Sequence, residues 1–196
     1  MFCSTAFTQA KSGVENYNLL SRDKEYVWMP VVHYQTKKGI YTEMRYNYDD
    51  LHTFSFYGGK TITGGNRIAY TITPMLGFSV GDFRSIAIAS KMELSYRKLF
   101  VSAEIQYSHA FGNSQPSFFF TWPEAGIDFS EFFFAGLAAQ YTIQREANYF
   151  EPGLLMGINF KNFSIPFYIF NPFCNNSYLV LGLNYEYDMK KKKMSN

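Results

Sequence analysis

The chain has 196 residues, 20% aromatic and only 17% charged, with 21 Phe and 16 Tyr against 2 Trp. That length suits one domain, and so much apolar surface excludes a disordered chain. Lys190 to Lys193 account for more than the whole net charge of +2, so the body is near neutral and lacks the basic face of a nucleic-acid binder.

The opening "MFCSTAFTQA" reads as the remnant of a secretory signal peptide (residues 1–10), with Thr8 and Ala10 at the small-residue positions before cleavage. Residues 11–24 form an N-terminal segment able to supply a first strand. From residue 25 the chain alternates apolar and polar residues in segments of about 10–13 residues, with no competing helical period. The segments "EYVWMPVVHYQT", "IYTEMRYNY", "LHTFSFYGGKTI" and "RIAYTITPMLGFSV" are separated by "KKG", "DD" and "TGGN". "RSIAIASKMELSY" and "LFVSAEIQYSHAF" follow, joined by "RK". After the loop "GNSQPS" come "FFFTWPEAGIDF", "FFFAGLAAQYTIQ", "YFEPGLLMGINF", "FSIPFYIF" and, beyond "NPFCNN", the final "YLVLGLNYEY". Short turns between consecutive strands imply an antiparallel meander, and many even-spaced strands imply a sandwich or a barrel.

The composition of the two faces separates these. One face carries large apolar residues, with Tyr48, Tyr96, Tyr107, Tyr185 and Tyr187 near segment ends. The other is mostly Gly, Ala, Ser, Thr and Gln, residues that fit a narrow hydrated interior. That arrangement predicts an all-β, antiparallel up-and-down transmembrane β-barrel of 10–12 strands over residues 25–187, with 11–24 completing the higher count. No window of about 18 apolar residues offers a spanning helix. Residues 188–196 read as a basic disordered tail. Pro30, Pro74, Pro123, Pro152 and Pro166 fall within the strands and predict bulges or strand ends there.

The last strand, "VLGLNYEY", resembles the C-terminal β-signal of Gram-negative outer-membrane barrels, with Gly182, Tyr185 and Tyr187 where that pattern asks. Val180 replaces its polar first position, and nine residues follow the final Tyr187. The resemblance implies a small protein of the cell outer membrane. Its partners would be outer-membrane lipids, the barrel-assembly machinery and an accessory envelope protein, with no nucleic acid.

The inward charges predicted from the alternation are Glu43, Arg45, Lys91, Glu93, Glu104, Glu124, Asp128, Glu151 and Glu186, so acids outnumber bases seven to two on that face. They suit ion pairs that rigidify the lumen, or a cation-preferring pore. The function read from this is a small pore or transport channel, or a structural envelope component. The alternatives are a soluble lipocalin-like carrier of an apolar ligand and a barrel enzyme acting on lipid. Catalysis has little support: Ser108 and His109 are adjacent and point to opposite faces, and no paired-His or Gly-x-Ser-x-Gly motif occurs among His33, His52 and His109. Neither a cofactor nor a metal site is expected, since Cys3 and Cys174 are far apart and stand alone.

Overall fold

Period-two alternation leaves each strand one apolar and one polar face, and the chain places the apolar face outside. The computed structural model describes residues 10–22, 25–112, 115–145 and 147–189. Its strands are β1 (Ala10–Ser21), β2 (Val27–Gln35), β3 (Ile40–Tyr46), β4 (Thr53–Lys60), β5 (Ile62–Gly64), β6 (Ala69–Gly81) and β7 (Ser85–Tyr96). There follow β8 (Leu99–Ala110), β9 (Phe118–Asp128), β10 (Phe133–Gln144), β11 (Asn148–Phe160), β12 (Phe163–Phe170) and β13 (Tyr178–Met189).

Each strand pairs antiparallel with its neighbour in sequence, and β4 and β5 together form one stave against β6. Pairing of β1 with β13, from Ala10 opposite Met189 to Ser21 opposite Tyr178, closes the sheet. The result is a closed barrel of twelve staves. Closure leaves no sheet edge, which hydrocarbon could not satisfy.

The barrel is longer at both ends than the alternation from residue 25 to 187 predicts. The N-terminal segment is the closing strand, and Asp188 and Met189 belong to β13 instead of the tail because Lys11 and Ala10 pair with them. The rest of the predicted leader remnant, residues 1–9, and of the tail, 190–196, lies outside the described residues.

The outer surface is apolar. Leu76, Ile88 and Leu137 are 69%, 59% and 63% exposed at mid-strand. Lys60, at the end of β4, is the one charged residue at the outward positions of the described strands. Exposed aromatics ring the end that holds the termini, among them Tyr34, Phe133, Phe160 and Phe163 with Tyr96, Tyr185 and Tyr187. Tyr107 faces outward near the opposite end. A greasy exterior of this kind is a lipid-facing band with interfacial aromatics. A lipocalin-like carrier, whose apolar face would turn inward, is excluded by it.

Instead of bulges, most of the prolines produce gaps at constant register. Between β9 and β10 the pairing stops at Ala138–Glu124 and resumes at Tyr141–Thr121, which skips Pro123. Between β12 and β13 it skips Pro166 in the same way. Pro74 lies opposite the break that separates β4 from β5, and the β2–β3 ladder begins just past Pro30. Pro152 sits just before the first β11–β12 pair and accepts a hydrogen bond from Asn171 N at 2.7 Å. A missing N–H costs one rung, and the continuous ladder on the other side keeps the strand in register.

Gly182 has a packing role of its own: a Cβ there would lie 2.6 Å from Pro166 Cγ and 3.2 Å from Tyr17 Cε1. Gly182→Val is therefore expected to destabilise the barrel by about 1–3 kcal/mol through overpacking. Urea unfolding in micelles checks this, with the outward Val101→Leu expected to have a much smaller effect.

Candidate functional site

The lumen is divided lengthwise into a charged wall and an aromatic wall. On the charged side Arg45, the last inward residue of β3, is 1% exposed. Its Nε donates to Glu43 Oε1 at 2.5 Å and its Nη1 to Gln106 Oε1 at 3.2 Å and to Glu104 Oε1. Its guanidinium is flanked by the rings of Tyr48 and Tyr57, at 4.6 and 4.4 Å from their centroids. Lys91 of β7 reaches Glu43 Oε2 at 2.5 Å and Glu15 Oε1 of β1 at 3.6 Å, so the cluster spans the barrel. Tyr41 donates to Glu43 Oε2 at 2.5 Å, and His33 Nδ1 lies 3.4 Å from Glu15 Oε1. Charges enclosed this way persist only when each finds partners, as these do.

Above this cluster the loop 47–52 turns into the barrel. Asn47 and His52 both adopt left-handed backbone, with φ of 55° and 51°, and the Asn47 side chain accepts from His52 N at 2.7 Å. The turn directs Asp49 inward. Its carboxylate accepts from Ser55, Tyr57 and Ser79 at 2.6, 3.0 and 3.0 Å, and from Gln106 Nε2 at 3.1 Å. Tyr48 Oη donates to Glu104 Oε2 at 3.2 Å. Tyr48 is therefore a lumen residue, not the membrane-interface aromatic that alternation predicts. The strand ends at Tyr46, and the left-handed Asn47 breaks the parity on which that assignment rests.

On the opposite wall Trp122, Phe134, Leu155, Tyr168, Phe170, Tyr178 and Val180 form a buried cluster inside the barrel. Glycines make room for it: a Cβ on Gly153 would lie 2.8 Å from the Phe170 ring. Between the walls lies a cavity of about 520 Å³ on the side of the termini. A smaller one of about 170 Å³ lies towards the other end, and Tyr48 lines both. Tyr48 thus stands between the two cavities. A further vestibule of about 420 Å³ opens at the terminal rim between Glu15, His33 and Glu186.

Of the predicted inward residues, Glu43, Arg45, Lys91 and Glu104 come together in the cross-lumen cluster. Glu93 and Glu124 line the 520 Å³ cavity beside it. Glu151 stands apart, accepting from Tyr178 at 2.9 Å and Asn171 at 3.4 Å near the other rim. Asp128 sits at the end of β9 on the terminal side, and Glu186 pairs with Lys11 at 2.6 Å. Sequence reading misses Glu15, Asp49 and Trp122. Glu15 was legible once residues 11–24 are taken as a strand, since it shares the parity of Lys11 and Tyr17; Asp49 looks like an ordinary turn residue. Ser108 and His109 point to opposite faces, Ser108 bonded to Gln106 inside and His109 3.4 Å from Ser117 outside, so they form no dyad.

This architecture matches solved porins. The fold is porin-like. A KdgM porin aligns over 88% of this chain and 98% of its own, with a TM-score of 0.64 at 9% identity. A NanC porin aligns over 90% and 100%, with a TM-score of 0.62 at 7% identity. OccAB4 of Acinetobacter baumannii aligns over 92% of this chain and 62% of its own, at 0.51 and 13%. No protein family and no curated protein matches the chain by sequence. At such identities the likeness lies in the staves and their closure, and the lumen side chains must be read on their own.

Removing Arg45 would leave Glu43 and Glu104 enclosed with one cation fewer. Arg45→Met is expected to cost about 3–5 kcal/mol of stability. Adding Glu104→Gln to it should restore part of that loss, as measured by the urea midpoint in micelles.

Proposed function

We propose that the protein is a small outer-membrane pore of a Gram-negative bacterium whose lumen favours cations and disfavours polyanions. The observation that carries this reading is a lumen with one charged wall and cavities on both sides of Tyr48, inside a barrel whose outside is greasy. Its inward carboxylates at Glu15, Glu93, Glu124, Glu151 and Asp128 exceed what Lys11, Lys91 and Arg45 can neutralise, since Glu43, Asp49 and Glu104 already surround Arg45. A wall rich in one sign of charge concentrates the opposite ion and repels its own. One KdgM structure is a complex with disordered oligogalacturonate, a polyanion. This lumen has the wrong sign for such a solute. Insertion would rely on the barrel-assembly machinery, with Gly182, Tyr185 and Tyr187 as its signal, and outer-membrane lipids would cover the apolar band.

A second reading, a structural barrel, is favoured by the four hydrogen bonds that hold Asp49 across the lumen. Planar-bilayer recordings separate the two. The pore should conduct, its reversal potential in a salt gradient should show cation preference, and Glu93→Gln should weaken that preference. Tyr48→Ala, which removes the ring between the two cavities, should raise conductance by about twofold or more. Silent membranes with both the native barrel and Tyr48→Ala would overturn the pore and leave the structural barrel.

A further inference from the structure

We propose that the larger lumen cavity is a binding site for a hydroxylated organic cation of the amino-sugar class, held between Glu124 and the indole N–H of Trp122. The pairing of β7, β8 and β9 lays out the site in two rows. Lys91, Glu104 and Trp122 are register partners in one row, and Glu93, Ser102 and Glu124 in the next row towards the termini. The first row contains its own counter-ions. The second does not.

Glu124 accepts hydrogen bonds from Tyr168 at 2.8 Å and Ser102 at 3.3 Å. Among the described residues no lysine or arginine forms an ion pair with it, although it lines the lumen cavity with Glu93 two strands away. An enclosed carboxylate without a cation is a place where a cationic ligand gains most. Trp122 walls the same cavity, is 7% exposed, and its Nε1–H has no acceptor in the described protein. A buried indole N–H of this kind is normally paired, so it offers a donor to a ligand oxygen. Tyr17 and Tyr168 flank the indole, with ring centroids at 5.8 and 5.1 Å. Aromatic faces attract ammonium groups and the weakly positive C–H face of a sugar ring.

One ligand chemistry meets all three demands. An ammonium answers Glu124, a hydroxyl or ring oxygen answers Trp122 Nε1, and a pyranose C–H face packs on Tyr17, the partly exposed ring of the three. A uronate would meet Glu124 and Glu93 with its own negative charge. The proposal rests on the pore reading for its role as a solute site, but binding is measurable without conduction.

Trp122 is also the reporter. The chain has 2 Trp, and Trp28 faces outward, so Trp28→Phe leaves only the indole in the cavity. This variant, folded in detergent micelles, is titrated with glucosamine, glucose and glucuronate at roughly pH 6, where an amine is protonated. Glucosamine should change the Trp122 emission saturably, glucose should bind about tenfold more weakly, and glucuronate should leave the emission unchanged. Glu124→Gln should weaken glucosamine binding about tenfold, with Glu93→Gln as a milder second variant, both retaining heat-modifiable gel mobility. Glucose or glucuronate binding as tightly as glucosamine, or no saturable response to any of the three, overturns the proposal. A barrel that binds glucosamine but stays silent in bilayers keeps the site and loses the pore; one that conducts and ignores glucosamine does the reverse.

Discussion

A peptide group facing hydrocarbon has no water to bond, and each one left unpaired costs several kcal/mol. The ladder between β1 and β13 answers that constraint for the whole sheet. Without it, two strands of twelve residues each would present bare N–H and C=O groups to lipid. The constraint also explains how the prolines are borne. A skipped rung at Pro123 or Pro166 is tolerable because the strand stays in register through its other neighbour and resumes pairing beyond the gap.

Closure determines what the interior must be. Once the sheet is sealed, every inward side chain shares one narrow space, and any charge in it must be answered by another side chain or by a solute. The chain answers most of them itself. Arg45 and Lys91 gather carboxylates from β1, β3 and β8, and the inward turn at Asn47 brings Asp49 to hydroxyls on β4 and β6. These contacts tie distant staves together across the lumen, which neighbour-to-neighbour pairing cannot do. The opposite wall is filled by rings stacked against one another, such as Phe170 and Tyr178 with centroids at 5.2 Å. What remains between the walls is cavity space lined by Glu93 and Glu124, and those carboxylates give the lumen its chemical character. The porins it resembles share the frame, and the lumen lining is particular to this chain.

Local pattern alone determined that this is a meander of strands, each with one large apolar face opposite one of small and polar residues. That follows from period-two alternation, a property of consecutive residues, as in Ile68 to Val80 or Leu179 to Tyr187. The inward positions of Glu43, Arg45, Lys91 and Glu104 follow from the same parity. The tertiary structure alone decided which of those charges meet, because Arg45 and Glu104, or Lys91 and Glu15, are brought together only by the curvature of a closed sheet. It also decided the fate of Tyr48 and Asp49, since one left-handed residue at Asn47 turns the chain into the lumen and ends the alternation. Likewise, Glu15 acquired a place only when the N-terminal segment found β13, a pairing between the two ends of the chain that no local period records.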